Sequence, residues 1–174
     1  DYAAKKNIKL GPLKYEKFTY KKNEASKKIS ISIENPEECH RYIAGIVENV
    51  KVQDSPKWLK DRLESIGQRS INNIVDISNY VMMEMGQPTH IFDFDKIGSD
   101  KIQIRKSTKG ESITTLDETK RELTGRELLI TNGQSPIAVA GIMGGLNSAV
   151  TTETKTVVIE SAYFDPPTIR KGAK

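Results

Sequence analysis

The sequence has little of what cross-links, metal sites and membrane spans require. Its single cysteine, Cys39, excludes a disulfide bond within the chain. One cysteine and two histidines also do not favour a zinc site, which usually needs three or four ligands. No apolar run approaches the roughly 18 residues of a membrane span. The first residues are rich in lysine and lack the apolar stretch of a signal peptide. We therefore expect a cytoplasmic protein with no metal site and no membrane contact.

The positive charge is confined to the beginning of the chain. The 174 residues carry a net charge of +4, but residues 1–30 hold nine lysines against three acids, which is +6. The remainder therefore carries −2, which is not typical of a protein that grips nucleic-acid phosphates over its whole face. We interpret residues 1–28 as a lysine-rich linker after the end of a preceding helix, and residues 29–174 as one domain.

Apolar periodicity in the first half of the domain predicts two strands and then two helices. Isoleucines alternate with serines at 29–33, which predicts a half-buried strand, and residues 42–52 predict another. Ser55-Pro56 should begin the first helix, with the serine capping its free amides. A second apolar helical face over 71–85 should end at Gly86. Because the two helices are close in sequence, we expect them to pack together.

After residue 100 the apolar period becomes two, which indicates several short strands. Glycine turns separate them, among them Asn132-Gly133 and Gly144-Gly145. A strand pair, a helix pair and then a set of strands form a segregated order. This order favours an α+β fold over an alternating α/β fold.

Residues that could carry chemistry are sparse when taken one by one. His90 lies between a helix end and an aromatic cluster, where a histidine is more often structural than catalytic. Glu160 ends an apolar strand and either reaches solvent or, inside a pocket, needs a partner. Arg69 follows a helix end, where its ordinary role is to bind the last carbonyls. The sequence holds no Walker-type loop, dinucleotide fingerprint, nucleophile triad or two-metal spacing. The residues alone therefore predict only a soluble α+β domain.

Several motifs in collinear order resemble one protein family. Arg-Ser-Ile-Asn-Asn-Ile-Val-Asp-Ile-Ser-Asn-Tyr-Val at 69–81 is followed by Gly-Gln-Pro-Thr-His-Ile-Phe-Asp at 86–93. Further matches are Gly-Ile-Met-Gly-Gly at 141–145, Val-Ile-Glu-Ser-Ala-Tyr-Phe-Asp-Pro at 158–166 and Cys-His-Arg-Tyr at 39–42. Over residues 36–174 the sequence resembles the editing module of bacterial phenylalanyl-tRNA synthetase beta subunits.

The resemblance implies a layered β-sandwich with helices packed on it, and a site that hydrolyses tyrosine wrongly esterified to phenylalanine tRNA. Glu160 matches the family's glutamate that bonds the tyrosine hydroxyl. Gly144 matches a pocket glycine, where a side chain would fill the space that the substrate needs. Arg69, Asn79 and His90 match other positions that line the site near the ester. The resemblance assigns no general base.

Partners and cofactors of a larger enzyme are also implied by the resemblance. They are an alpha subunit in a tetramer of two alpha and two beta subunits, phenylalanine tRNA, and ATP with Mg²⁺ for aminoacylation. Hydrolysis of the ester by this region should need no cofactor. In the family, a segment that supplies a threonine and an alanine to the pocket follows the stretch matching 168–171. The sequence ends at Lys174, before such a segment, so we expect these residues alone to hydrolyse poorly.

Two other functions stay open on the sequence. The domain could be a structural scaffold of the beta subunit that has lost proofreading, although Glu160, Gly144 and His90 are all present. It could also be a free-standing hydrolase of aminoacyl-tRNA. Replacing Glu160 separates editing from scaffolding, because only an editing site needs that carboxylate.

Overall fold

The computed structural model describes residues 2–11 and 24–173. Part of the predicted lysine-rich linker over 1–28, namely residue 1 and residues 12–23, lies outside the described residues. Before that gap a short helix, α1, spans Tyr2–Lys5, and after it a 3-10 turn spans Ala25–Lys27. Within the described ranges no helix is long and apolar enough to cross a membrane.

Ten strands form three sheets in the described part of the chain. They are β1 (Ser30–Ile33), β2 (Cys39–Glu48), β3 (His90–Asp93), β4 (Lys101–Lys106), β5 (Ser112–Thr114), β6 (Lys120–Glu122), β7 (Leu128–Thr131), β8 (Pro136–Val139), β9 (Met143–Gly144) and β10 (Thr156–Phe164). The five-stranded sheet has the order β1-β4-β7-β8-β9, and the three-stranded sheet has the order β2-β10-β3. β5 and β6 form a separate hairpin. All pairs are antiparallel except β1 with β4.

The two larger sheets share one apolar core. Tyr42, Phe92 and Val158 enter it from the three-stranded sheet, while Ile104 and Ile130 enter it from the five-stranded sheet. In β2 the alternating residues Tyr42, Ala44 and Ile46 point to this common face, as a sandwich requires. The predicted α+β fold, a layered β-sandwich with helices packed on it, is confirmed.

The predicted helix pair is present as α2 (Lys57–Ser65) and α3 (Asn73–Met85), and the two helices pack together. Gly86 ends α3 with a φ of 73°, a left-handed conformation that glycine adopts at little cost. The predicted capping role of Ser55 is wrong, because Pro56 occupies the N-cap position and no side chain caps the helix. The Ser55 hydroxyl instead donates to the buried carboxylate of Asp76, at 2.5 Å.

Two short helices follow strands of the three-stranded sheet. Helix α4 spans Phe94–Ile97 directly after β3, and α5 spans Pro166–Gly172 directly after β10. Asp165 caps α5 by accepting a hydrogen bond from the Thr168 amide at 2.8 Å. The predicted turn at Gly144-Gly145 is wrong, since Gly144 lies in strand β9 and pairs with Ala138.

Candidate functional site

A cavity of about 720 Å³ opens between the two larger sheets, beside α5. This volume lies within the range of about 300–1,000 Å³ that is common for small-molecule sites. Most of its wall is apolar, with side chains such as Leu116, Ile130 and Ile169. Three of the five sequence-predicted site residues line it: His90, Gly144 and Glu160. Arg170 of α5 also lines this cavity and is exposed.

Glu160 is a buried carboxylate in the wall of this apolar cavity. Its residue is only 6% exposed, and the Tyr42 hydroxyl donates a hydrogen bond to its Oε2 atom at 2.8 Å. Burial raises the pKa of Glu160 to about 7, although the Tyr42 hydrogen bond acts in the opposite direction. Near neutral pH the group therefore exists in both its ionised and its protonated form.

The strand register explains why Tyr42 reaches Glu160. Tyr42 of β2 pairs with Ala162 of β10, and Glu160 pairs with Ala44. The two side chains are thus diagonal neighbours on one face of the sheet, a separation that an aromatic ring spans. Burial and the Glu160 charge raise the pKa of Tyr42 well above its usual value, so its phenol remains a donor.

His90 stands beside Glu160 on the other neighbouring strand. The register of β3 against β10 pairs the two residues directly. The imidazole meets the Phe92 ring edge to face, with 4.6 Å between the ring centroids. Burial lowers the pKa of His90 to about 4, so the ring is neutral at physiological pH and offers one donor and one acceptor.

Gly144 brings the opposite sheet into contact with this histidine. A Cβ atom at residue 144 would lie 2.5 Å from Cε1 and 2.6 Å from Nε2 of His90. It would also lie 3.0 Å from Cδ1 of Leu116. Any side chain at residue 144 would displace the imidazole. His90 can occupy its position in the cavity wall because residue 144 is glycine.

The remaining two predicted site residues do not line the cavity. Arg69 is exposed between α2 and α3, and Asn79 is half-buried in α3. A connection nevertheless runs from α3 to the cavity, because the Ser78 hydroxyl donates to the backbone carbonyl of Thr89 at 3.0 Å. Thr89 is itself a cavity residue. The roles of Arg69 and Asn79 stay predictions.

Tyr42 is the functional candidate that the sequence did not single out. Its contact with Glu160 joins residues 118 positions apart, which no local pattern reveals. The available signal was its place in the Cys-His-Arg-Tyr motif at 39–42. In the described part of the chain, no group of three or more His, Cys, Asp or Glu side chains is placed to hold a metal ion.

Comparison with known proteins supports one family. The B3/4 domain family matches residues 38–174. The phenylalanine–tRNA ligase beta subunit of Carboxydothermus hydrogenoformans is 53% identical over 146 residues, which cover 84% of this chain and 18% of the relative. The corresponding protein of Bacillus licheniformis is 46% identical over 169 residues, which cover 97% of this chain and 21% of the relative. The chain thus spans about a fifth of the length of these relatives.

A solved structure has a similar fold. It is an N-terminal fragment of the phenylalanyl-tRNA synthetase beta subunit from Pyrococcus horikoshii, with a TM-score of 0.59. The match covers 88% of this chain and 47% of that chain, at 17% sequence identity. At this identity the likeness supports the fold alone.

Proposed function

The chain belongs to the B3/4 domain family, in the form carried by phenylalanine–tRNA ligase beta subunits, and on that premise we propose that its cavity edits mischarged tRNA. The substrate is tyrosine esterified to phenylalanine tRNA, and the reaction is hydrolysis of that ester. The observation that carries the proposal is the buried carboxylate of Glu160 in an otherwise apolar cavity wall. Such a group is unfavourable in a core unless a ligand or partner uses it.

Selection of tyrosine follows from what Glu160 offers. A tyrosine side chain that enters the apolar cavity donates its phenolic hydroxyl to the carboxylate. A phenylalanine side chain fills the same space but leaves the carboxylate without that donor, which costs about 1–3 kcal/mol, or about fivefold to 150-fold. The site therefore prefers tyrosine, which the apolar pocket of an aminoacylation site rejects only weakly.

The hydrolytic step needs a water molecule and a polarised ester. The water oxygen attacks the ester carbonyl carbon, the bond from that carbon to the ribose oxygen breaks, and the ribose oxygen takes up a proton. Neutral His90 can donate a hydrogen bond to the ester or accept one from the water. Arg69 and Asn79, outside the cavity wall, are proposed to contact the tRNA end. The energy stored in the ester drives the reaction, so neither ATP nor a metal ion is required.

The resemblance extends the proposal to a larger enzyme. In it, this domain lies in a beta subunit that pairs with an alpha subunit, as two alpha and two beta chains, in the cytoplasm. The alpha subunit would attach phenylalanine to its tRNA with ATP and Mg²⁺. This chain would act afterwards, on the rare tRNA that carries tyrosine instead.

A scaffolding role has one observation in its favour. Apolar side chains on and near α2 and α3 are exposed, among them Trp58 at 56% and Ile71 at 62%. Exposed apolar groups of this size are typical of surfaces that contact other protein. This role concerns the helical face, whereas editing concerns the cavity, so the two can be tested separately.

The deciding experiment compares the full ligase with its Glu160→Ala variant on phenylalanine tRNA charged with tyrosine. The expected result is fast release of tyrosine by the wild type and release at least about fivefold slower by the variant. Glu153→Ala, which removes the same carboxylate from an exposed loop, is the control and should act like wild type. Slow release by all three proteins would contradict editing and favour the scaffold.

A further inference from the structure

Tyr42 lies behind the cavity rather than in its wall. Its residue is 8% exposed and belongs to the main apolar core, yet it is not among the residues that line the cavity. Its hydroxyl makes a 2.8 Å hydrogen bond to Oε2 of Glu160. Tyr42 therefore reaches a substrate only through Glu160.

The contact fixes one carboxylate oxygen and leaves the other available. The Tyr42 ring is held by the core and by the pairing of β2 with β10, so its hydroxyl has a fixed position. Oε2 is thereby held at the core side. Within the described residues no hydrogen-bond donor reaches Oε1, although an ionised carboxylate accepts several hydrogen bonds.

We propose that Tyr42 is a positioning residue for tyrosine recognition, which holds Oε2 of Glu160 so that Oε1 faces the phenolic hydroxyl of the bound amino acid. This inference rests on the proposed editing function. It assigns the specificity of the site to a pair of residues, not to Glu160 alone. Two phenols, one from the protein and one from the substrate, then share a single carboxylate.

The same contact also favours the ionised, accepting form of Glu160. The ionisable groups around Glu160 are Tyr42 and Cys39 from β2, His90 from β3 and Arg170 from α5. Cys39 stays a neutral thiol because burial raises its pKa to about 11, and His90 is neutral because burial lowers its pKa to about 4. The Tyr42 hydroxyl is the partner that lowers the pKa of Glu160, so its removal should raise that pKa further.

The test uses Tyr42→Phe in the full ligase, which removes one oxygen atom and keeps the ring. For release of tyrosine from phenylalanine tRNA, we expect KM to rise about tenfold or more with a smaller change in kcat. The pH at which kcat/KM reaches half its maximum should also move upward, because Glu160 then ionises at higher pH. Tyr80→Phe is the matched control, since Tyr80 donates to the Glu84 carboxylate on the exposed face of α3 at 3.1 Å.

A second comparison shows whether the effect passes through Glu160. In a Glu160→Ala background no side-chain oxygen remains for Tyr42 to hold, and adding Tyr42→Phe should change neither KM nor the pH profile by more than about twofold. This background also serves if Tyr42→Phe alone does not fold. A further tenfold loss there would overturn the inference, because Tyr42 would then act by another route.

The outcomes separate this inference from the function on which it rests. If the wild type releases tyrosine and Tyr42→Phe matches it in KM and pH profile, the inference fails and editing stands. If the wild type releases no tyrosine, both fail together. A raised KM and a shifted profile in Tyr42→Phe, absent from Tyr80→Phe, would support the inference.

Discussion

Replacing Gly144 with alanine tests how closely the two sheets approach at the cavity. The new Cβ would lie 2.5 Å from Cε1 of His90 and 3.0 Å from Cδ1 of Leu116. Carbon atoms in favourable contact are about 3.5–4.0 Å apart, so the imidazole must move by roughly 1 Å. Leu116 is exposed and can give way, but His90 is constrained.

The constraint on His90 determines how much stability Gly144→Ala should lose. Its backbone pairs with Glu160 in the sheet, and its ring packs edge to face on Phe92, which is fully buried. Inserting a carbon atom into such packing typically costs about 1–3 kcal/mol. For a chain of this length, each kcal/mol lowers Tm by about 2–4 °C. The displaced imidazole should also slow hydrolysis, because it lines the cavity.

Thermal unfolding and release of tyrosine from phenylalanine tRNA are the two measurements. Gly45→Ala in β2 is the matched control, because no heavy atom lies within 4 Å of a Cβ built there. That variant should have the Tm of the wild type or a higher one. Its free energy of unfolding can rise by up to about 1 kcal/mol, because alanine reduces the backbone freedom of the unfolded chain. Equal Tm and equal hydrolysis in the two alanine variants would refute the reasoning. Adding His90→Ala to Gly144→Ala should relieve the clash and recover part of the lost stability.

Three further predictions concern buried polar groups. Because burial raises the pKa of Glu160 from 4.5 to about 7, the wild type should lose about 3 kcal/mol of stability relative to Glu160→Gln as pH rises through this window, measured by urea unfolding. His90 has the opposite effect, because burial lowers its pKa from 6.5 to about 4. The wild type should therefore lose stability relative to His90→Asn as pH falls through that range. Asp76→Ala should lower the free energy of unfolding by about 2–4 kcal/mol, because the donors of Ser55, Ser70 and the Ile71 amide lose their acceptor. Asp54→Ala, which changes an exposed aspartate, should have no effect in the same assay. Equal urea midpoints for the two aspartate variants would contradict the last of these.

The fold was predictable where local chemistry decides local structure. Helical periodicity over 71–85 and a glycine after it predict α3 and its left-handed end, and both are present. The hairpin at Asn132-Gly133 is also present, because the Asn132 side chain accepts from two following amides and Gly133 takes a positive φ. These signals need no knowledge of distant residues.

Prediction from the sequence was wrong or incomplete where residues far away in the chain determine the local structure. Ser55 is not a cap, because the Asp76 carboxylate, 21 residues away, binds its hydroxyl. Gly144 is not in a turn, because Ala138 pairs with it as a strand neighbour. β3 was not predicted at all, since its four residues, His90–Asp93, have no alternation of their own and take their form from β10. The same limit hid Tyr42, whose contact with Glu160 depends on the β2–β10 register.

The stability of the fold and the chemistry of the site make opposite demands on Glu160. Val157 and Val158 of the same strand are apolar and buried, and an apolar residue at 160 would pack there without a penalty for charge. The carboxylate instead has a pKa of about 7, so the folded state is less stable whenever the group ionises. Tyr42 reduces that penalty by donating a hydrogen bond, and it does so from the core side, away from the cavity. A purely structural pair would need no cavity in front of the carboxylate, whereas recognition of a phenol requires one.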